Sequence, residues 1–195
     1  MKIKRHIPNM LTISRILLVP IYLICLYLIG DQLGAELALL VFIVAGITDF
    51  FDGVLARKFK SITDFGKVVD PLADKIIVSV ALITIALSPI ELTSIYVAYI
   101  VILREILVTI LRSWYQKKNI YIAANFWGKL KTTFQMTGII ASLLLYAGKF
   151  RFEFIRINMH RFTDILQIFF WLVVVITIVS GITYLPFLKK NNVKG

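Results

Sequence analysis

Six long apolar segments, separated by short polar ones, run through the chain. They cover roughly residues 10–30, 35–56, 68–88, 92–113, 130–148 and 164–187. Each is close to the length of about 20 residues that a helix needs to cross the hydrocarbon core of a bilayer. Backbone groups inside a membrane must be hydrogen-bonded within the segment, so each segment is predicted to be a helix. The pattern therefore predicts an all-α integral membrane protein with six transmembrane helices in a single catalytic domain, residues 1–195.

Composition agrees with a membrane location. Hydrophobic residues make up 59% of the 195 residues, charged residues make up 17%, and the mean hydropathy is +0.85. Soluble domains average about 45–50% apolar and about 25% charged residues, so the excess apolar surface is expected to face lipid. The single cysteine, Cys25, excludes a disulfide framework within the chain and a metal–thiolate site.

Basic residues in the loops, in the termini and at the ends of the apolar segments are unevenly divided between the two sides of the predicted membrane. Fifteen lysines and arginines fall on the side of the termini, and four, all within 149–161, fall on the other side. The positive-inside rule then predicts a multi-pass cell-membrane protein with both termini and the active site facing the cytoplasm. The net charge of +11 is attributed to attraction to anionic membrane lipids, and no nucleic-acid partner is expected. We interpret 149–161 as a short amphipathic piece at the outer interface.

Four aspartates form the most distinctive cluster of the sequence. Asp49 and Asp52 are three residues apart, and Asp70 and Asp74 are four apart, so the two members of each pair share one helical face. The polar stretch 57–67 between the two pairs is predicted to form a cytoplasmic hairpin. A single carboxylate near mid-bilayer costs about 2.5–3.5 kcal/mol. Divalent cations would offset the repulsion between four of them, and oxygen ligands without His or Cys favour Mg²⁺ or Mn²⁺. The alternative is that the aspartates pin helices together through salt bridges, with Arg15, Lys75 or Arg104 as partners.

Small and basic residues accompany the aspartates. Gly53 and Gly66 would let a ligand or a helix approach the backbone closely, and Arg57 stands where a guanidinium can bind phosphate. Arg15, in the first apolar segment, is open to a second interpretation, in which its side chain snorkels to lipid headgroups.

The pattern D-x2-D-G-x2-A-R-x8-G-x3-D-x3-D, complete from Asp49 to Asp74, resembles the signature of the CDP-alcohol phosphatidyltransferase family. The resemblance implies that an alcohol attacks the lipid-side phosphate of a CDP-linked lipid and that CMP leaves. It further implies two bound metal ions, six membrane helices and a homodimer. The resemblance implies that four aspartates bind the metal ions: Asp49, Asp52, Asp70 and Asp74. It implies that Asp74 is also the general base. The residues that it implies at the CDP-lipid are Thr12, Gly53, Arg57 and Gly66.

A second pattern concerns the acceptor alcohol. Arg104-Glu105, Arg112 and the run from Gly128 to Thr132 resemble the branch of the family in which CDP-diacylglycerol donates to glycerol 3-phosphate. An acceptor that carries a phosphate needs fixed cations. The residues implied at the acceptor phosphate are Arg104, Arg112, Lys129, Lys131 and Thr132. Since Lys129 and Lys131 cannot share a helical face, one of them is expected to face the site, and Glu105 is interpreted as balancing the charge of Arg104.

Two rival functions stay open at this point. One is a transferase of the same family with another acceptor, as in cardiolipin-type or phosphatidylserine synthesis, although an acceptor without phosphate would leave the basic cluster unexplained. The other is a small cation transporter that uses the aspartates as an ion path. Transporters commonly have paired halves or broken helices, and the sequence indicates neither.

Overall fold

The computed structural model describes residues 7–59, 64–88, 92–117 and 126–182, and all regular structure in these ranges is helical. Five of the predicted apolar segments each overlap one long helix, and the first overlaps α1 and the π-helical turn after it, which confirms the all-α prediction for the described part. The helices are α1 (Ile7–Leu23), α2 (Asp31–Phe59), α3 (Asp64–Ala86), α4 (Ile95–Lys117), α5 (Phe126–Arg151), the short α6 (Glu153–Ile157) and α7 (Met159–Ile182).

A tight reversal joins α1 to α2. After α1 the chain continues as a π-helical turn over Ile24–Ile29 and then reverses at Gly30, whose φ of 62° is readily adopted only by glycine. Four residues later, a Cβ on Gly34 would lie 2.3 Å from the carbonyl oxygen of Cys25. Only glycine therefore lets α2 start so close to the end of the preceding helix.

The long helices pack as a ring in the order α1, α2, α5, α7, α4, α3, and α3 also contacts α5 across the ring. Side chains such as Phe42, Leu82 and Phe170 fill the interior and are almost completely buried. A buried hydrogen bond of 2.8 Å joins the hydroxyl groups of Tyr22 and Thr84, so two polar side chains are paired in this apolar core.

The outer surface of the ring is apolar. Leu28, Tyr96 and Ile168 are each exposed by 70% or more. Among the described helices, two are long and apolar enough to cross a membrane, over Gln32–Asp49 and over Met159–Ile182. Exposed apolar side chains on helices of this kind are the surface expected of a membrane protein, in which the solvent for the outer face is lipid.

The stretch 149–161, predicted to be a short amphipathic piece, contains the short helix α6, and both flanking helices extend into this stretch. Helix α5 continues to Arg151 and α7 begins at Met159. The ammonium group of Lys149 lies over the rings of Tyr146 and Phe150, 4.2 and 4.6 Å from their centroids, and this contact favours continuing the helix past the apolar segment.

Candidate active site

An ion pair joins α1 to the first aspartate of the signature. The Nη1 atom of Arg15 donates to Oδ1 of Asp49 over 2.6 Å. The Arg15 side chain is 3% exposed, whereas that of Asp49 is 53% exposed. Arg15 is therefore buried, and the interpretation that it snorkels to headgroups is wrong. One of the salt bridges that the sequence offered as an alternative, between Arg15 and an aspartate of the signature, does form. The carboxylate of Asp49 nevertheless stays accessible to further ligands.

The backbone supports the spacing of the four aspartates. Asp49 and Asp52 lie in one uninterrupted helix, and so do Asp70 and Asp74. The link at 60–63 and the side chains of the last three aspartates lie outside the described part of the structure, so their convergence on a metal stays a prediction. The same holds for the side chains of the predicted CDP-lipid residues Thr12, Gly53, Arg57 and Gly66.

A second polar cluster crosses three helices and was not predicted. Glu105 of α4 forms an ion pair with Lys131 of α5, and its other carboxylate oxygen lies 4.0 Å from the ammonium group of Lys75 on α3. Lys75 in turn donates to the hydroxyl of Thr109, one turn along α4. Lys131 is 1% exposed, so its charge is compensated inside the protein rather than by water. We call Lys75, Glu105 and Lys131 the Glu105 bridge.

The bridge corrects one interpretation of the sequence. Glu105 balances Lys131, not its neighbour Arg104, because successive residues of a helix point in different directions. Arg104 instead donates to Oγ of Ser180 on α7 over 2.8 Å, which links α4 to α7.

The other predicted acceptor residues divide between the interior and the surface. Lys131 faces inward and Lys129 is exposed, which confirms that the two lysines occupy different faces of α5. Thr132 is exposed and its hydroxyl donates to the carbonyl of Gly128 over 3.0 Å. Arg112, two turns beyond Arg104, is half-buried.

A cavity of about 90 Å³ lies beside the Glu105 bridge. Its walls come from α3, α4 and α5, and the lining residues are Lys75, Val78, Ser79, Glu105, Thr132, Gln135 and Met136. The sequence analysis did not assign Lys75 or Ser79 to the site, whereas Gln135 closely follows the stretch 128–132 that resembles the acceptor pattern. A charged residue inside an apolar segment directly after Asp74 was the available signal for Lys75.

The pairing of Glu105 with Lys131 has a measurable consequence for stability. Replacing Glu105 with Leu leaves a buried ammonium group with no nearby carboxylate, which typically costs about 3–5 kcal/mol. We expect Glu105→Leu to lower the thermal midpoint in detergent strongly. The double variant Glu105→Leu, Lys131→Met should recover most of the loss, since it removes both charges at similar side-chain volume.

The matched control is Glu153→Leu, which removes the exposed carboxylate of the ion pair with Arg156 on α6. It should change the midpoint little, because exposed pairs contribute about 0–1 kcal/mol. Equal losses in the single and double variants at positions 105 and 131 would show that the ion pair is not the reason for the instability.

Comparison with known proteins places these residues in a family context. The family model described as CDP-alcohol phosphatidyltransferase matches residues 5–179. A relative from Rickettsia prowazekii (strain Madrid E) is 35% identical over 185 residues, which are 94% of this chain and 96% of the relative. One from Bacillus subtilis (strain 168) is 36% identical over 190 residues, 92% of this chain and 93% of the relative. One from Haemophilus influenzae is 40% identical over 145 residues, 73% and 78% of the two chains. All three are named CDP-diacylglycerol–glycerol-3-phosphate 3-phosphatidyltransferase.

Proposed function

Since the chain belongs to the CDP-alcohol phosphatidyltransferase family, we propose that it transfers the phosphatidyl group of CDP-diacylglycerol to glycerol 3-phosphate, giving phosphatidylglycerophosphate and CMP. The observation that carries this proposal is the similarity, over more than nine-tenths of the chain, to relatives named for that reaction. The same similarity favours glycerol 3-phosphate over the other acceptors, and an enzyme over a cation transporter.

The donor set of the aspartate signature fits two divalent cations of the Mg²⁺ or Mn²⁺ type. Asp49 offers a half-exposed carboxylate in the second half of α2, and Asp52, Asp70 and Asp74 follow at helical spacing along α2 and α3. We assign Asp49, Asp52 and Asp70 as ligands, with Asp74 contacting the second ion. Ions bound there would neutralise the diphosphate as charge develops on it. Arg15 holds one oxygen of Asp49 and so fixes the orientation of that carboxylate.

Asp74 is assigned as the general base of the transfer. The hydroxyl oxygen of the acceptor forms a bond to the phosphorus on the lipid side of the diphosphate. The bond from that phosphorus to the bridging oxygen breaks, and CMP leaves with the bridging oxygen. The hydroxyl proton passes to Asp74, which is one residue before Lys75 of the Glu105 bridge. Thr12, Gly53, Arg57 and Gly66 are assigned to the nucleotide and diphosphate of the donor.

The phosphate of the acceptor is assigned to the cations at the ends of α4 and α5. Arg112 of α4 and Lys131 of α5 are assigned as its main contacts, and Arg104, Lys129 and Thr132 as further residues of the same site. Lys131 is paired with Glu105, so part of its charge is already compensated before an acceptor binds, and Arg112 is assigned beside it as a donor of charge-assisted hydrogen bonds to the phosphate monoester.

For the membrane arrangement we propose six transmembrane helices with both termini and the active site on the cytoplasmic side. The support is the concentration of lysine and arginine on that side, together with the apolar outer faces of the helices. We also propose that the protein works as a homodimer, as the family resemblance suggests. Helix α6 is proposed to lie at the outer membrane interface, because Phe154 and Ile157 are exposed there beside Arg156.

One experiment tests both the reaction and its sidedness. Labelled glycerol 3-phosphate, which does not cross bilayers unaided, is added to sealed vesicles that contain the protein and CDP-diacylglycerol. Label should enter the lipid fraction in inverted vesicles, whose cytoplasmic face is outside, and not in right-side-out vesicles until they are permeabilised. Labelling of right-side-out vesicles alone would refute the orientation, and no labelling even after permeabilisation would refute the reaction.

A further inference from the structure

A second cavity lies at the end of the bundle opposite to the ion pair that joins α1 to the aspartate signature. Its volume is about 150 Å³, and its walls come from the turn after α1, from the ends of α3 and α5 and from the segment before α4. The lining residues Leu92 and Leu143 are almost completely buried. Two others, Tyr27 and Leu87, are exposed by 60% and 64%. The cavity therefore opens from the core of the bundle towards its apolar outer surface.

The hydroxyl groups of the two aliphatic alcohols on the cavity wall already have partners inside the protein. Thr84 donates to the backbone carbonyl of Ala81 and Ser88 to that of Ile85, both over 2.9 Å. Thr84 is also paired with the hydroxyl of Tyr22. A water molecule needs two to four polar partners, which these walls do not offer, and apolar cavities of about 150 Å³ stay dry and take up hydrocarbons about as large as benzene. The cavity therefore suits a short length of hydrocarbon chain.

A cation stands beside this cavity. The ammonium group of Lys149 lies 4.2 Å from the ring centroid of Tyr146, which is one of the lining residues. In the part of the chain that the structure describes, Lys149 has no carboxylate partner, whereas Arg151, the next basic residue, lies 3.6 Å from Glu36. The aromatic rings attract the ammonium group but do not neutralise its charge. An anionic group at the edge of the cavity would supply the missing opposite charge.

We propose that the cavity and Lys149 together bind an anionic phospholipid of the outer leaflet, with its phosphate on Lys149 and part of one acyl chain in the cavity. The leaflet follows from the proposed orientation of the helices, and the site is separate from the transfer reaction. Lipid tails are as apolar as leucine, so apolarity alone gives no preference for this position over the rest of the outer surface. The preference comes from filling a void whose walls otherwise lack contacts, and the cation selects the charge of the lipid.

The test is photolabelling of the whole chain in right-side-out vesicles of phosphatidylcholine. Phosphatidylglycerol or phosphatidylcholine that carries a diazirine in one acyl chain is introduced into the outer leaflet by lipid exchange, and the labelled peptides are mapped by mass spectrometry. Peptides that cover 84–92 and 143–146 should be labelled. At equal concentration, phosphatidylglycerol should label them about fivefold more than phosphatidylcholine, which is the effect of one cation close to the lipid phosphate.

Two variants separate the charge from the cavity. Lys149→Gln should lower labelling by phosphatidylglycerol to the level of phosphatidylcholine, because it removes the cation and leaves the cavity intact. Ser88→Phe should reduce labelling by both lipids, because the added ring occupies part of the cavity. The matched control is Arg156→Gln, which removes a cation of the same end of the bundle that is already paired with Glu153 over 3.1 Å. It should keep the wild-type ratio between the two lipids.

Three results would overturn the proposal, and none of them requires a variant to fold. Equal labelling by the two lipids in the wild-type protein would show that the site does not select an anionic lipid, and unlabelled cavity peptides would show that no chain enters. Labelling only from the cytoplasmic leaflet would assign the cavity to a chain from that side, such as that of the donor. Since CMP release is not measured, a failure of the proposed function would leave this test unaffected.

Discussion

Replacing Asp74 with Asn is expected to lower kcat by about 10²- to 10⁴-fold, the usual contribution of a positioned general base. An amide at this position cannot accept the proton of the attacking hydroxyl, although it keeps the size of the side chain. Asp49, Asp52 and Asp70 remain to hold metal, so binding of Mn²⁺ and of CDP-diacylglycerol should persist. The measurement is single-turnover CMP release at saturating substrates, together with Mn²⁺ binding followed by electron paramagnetic resonance.

Asp49→Asn is the variant to set beside it. Asp49 is assigned as a metal ligand and is also the partner of Arg15, so this change should weaken metal and nucleotide binding together. Asp74→Asn should therefore lower the rate of CMP release with little effect on metal binding, whereas Asp49→Asn should weaken the binding of metal and nucleotide. If both lose Mn²⁺ to the same extent, the assignment of Asp74 as the base has no support.

Replacing Arg112 with Ala is expected to raise the KM for glycerol 3-phosphate by about 10- to 100-fold. A guanidinium makes charge-assisted hydrogen bonds with a phosphate monoester, worth roughly 1.5–3 kcal/mol, and each decade of affinity corresponds to about 1.4 kcal/mol. The KM for CDP-diacylglycerol should barely change, because its diphosphate is assigned to the metals and Arg57. Steady-state kinetics with each substrate varied in turn gives both constants.

Arg112 is a cleaner test of phosphate recognition than Lys131. Removing Lys131 would also leave Glu105 without its buried partner, so that affinity and stability would change together. The control is Arg156→Ala, which removes an exposed arginine from α6 at the opposite end of the bundle and should leave both KM values unchanged. Equal increases in both KM values for Arg112→Ala would show that the residue does not act on the acceptor.

The helices could be predicted because they depend on a strong local signal. An apolar segment of about 20 residues has few alternatives to a helix, so all six segments overlap long helices. The spacing of the aspartates within α2 and α3 was likewise a local property. The helix ends were less predictable: α5 continues to Arg151 because Lys149 packs against aromatic rings, a contact that apolarity alone does not indicate.

Pairings between distant parts of the chain could not be predicted in the same way. The sequence offered Arg15 only as one of three possible partners of the aspartates, and it did not indicate that Lys131 and Lys75 converge on Glu105. The sequence places Glu105 beside Arg104, and only the rotation of about 100° between successive helical residues sends the two side chains to different partners. The cavity beside the Glu105 bridge exists only where α3, α4 and α5 meet, so no single segment contains a signal for it.

The most direct test of the central claim is the rate at which the purified protein releases CMP from CDP-diacylglycerol with different acceptors. Glycerol 3-phosphate, glycerol, serine and inositol are each supplied at the same concentration with Mg²⁺ or Mn²⁺. The proposed function predicts that glycerol 3-phosphate supports release at least about tenfold faster than any of the others, since only it carries the phosphate that the basic cluster binds. Equal or faster release with glycerol, serine or inositol would contradict it.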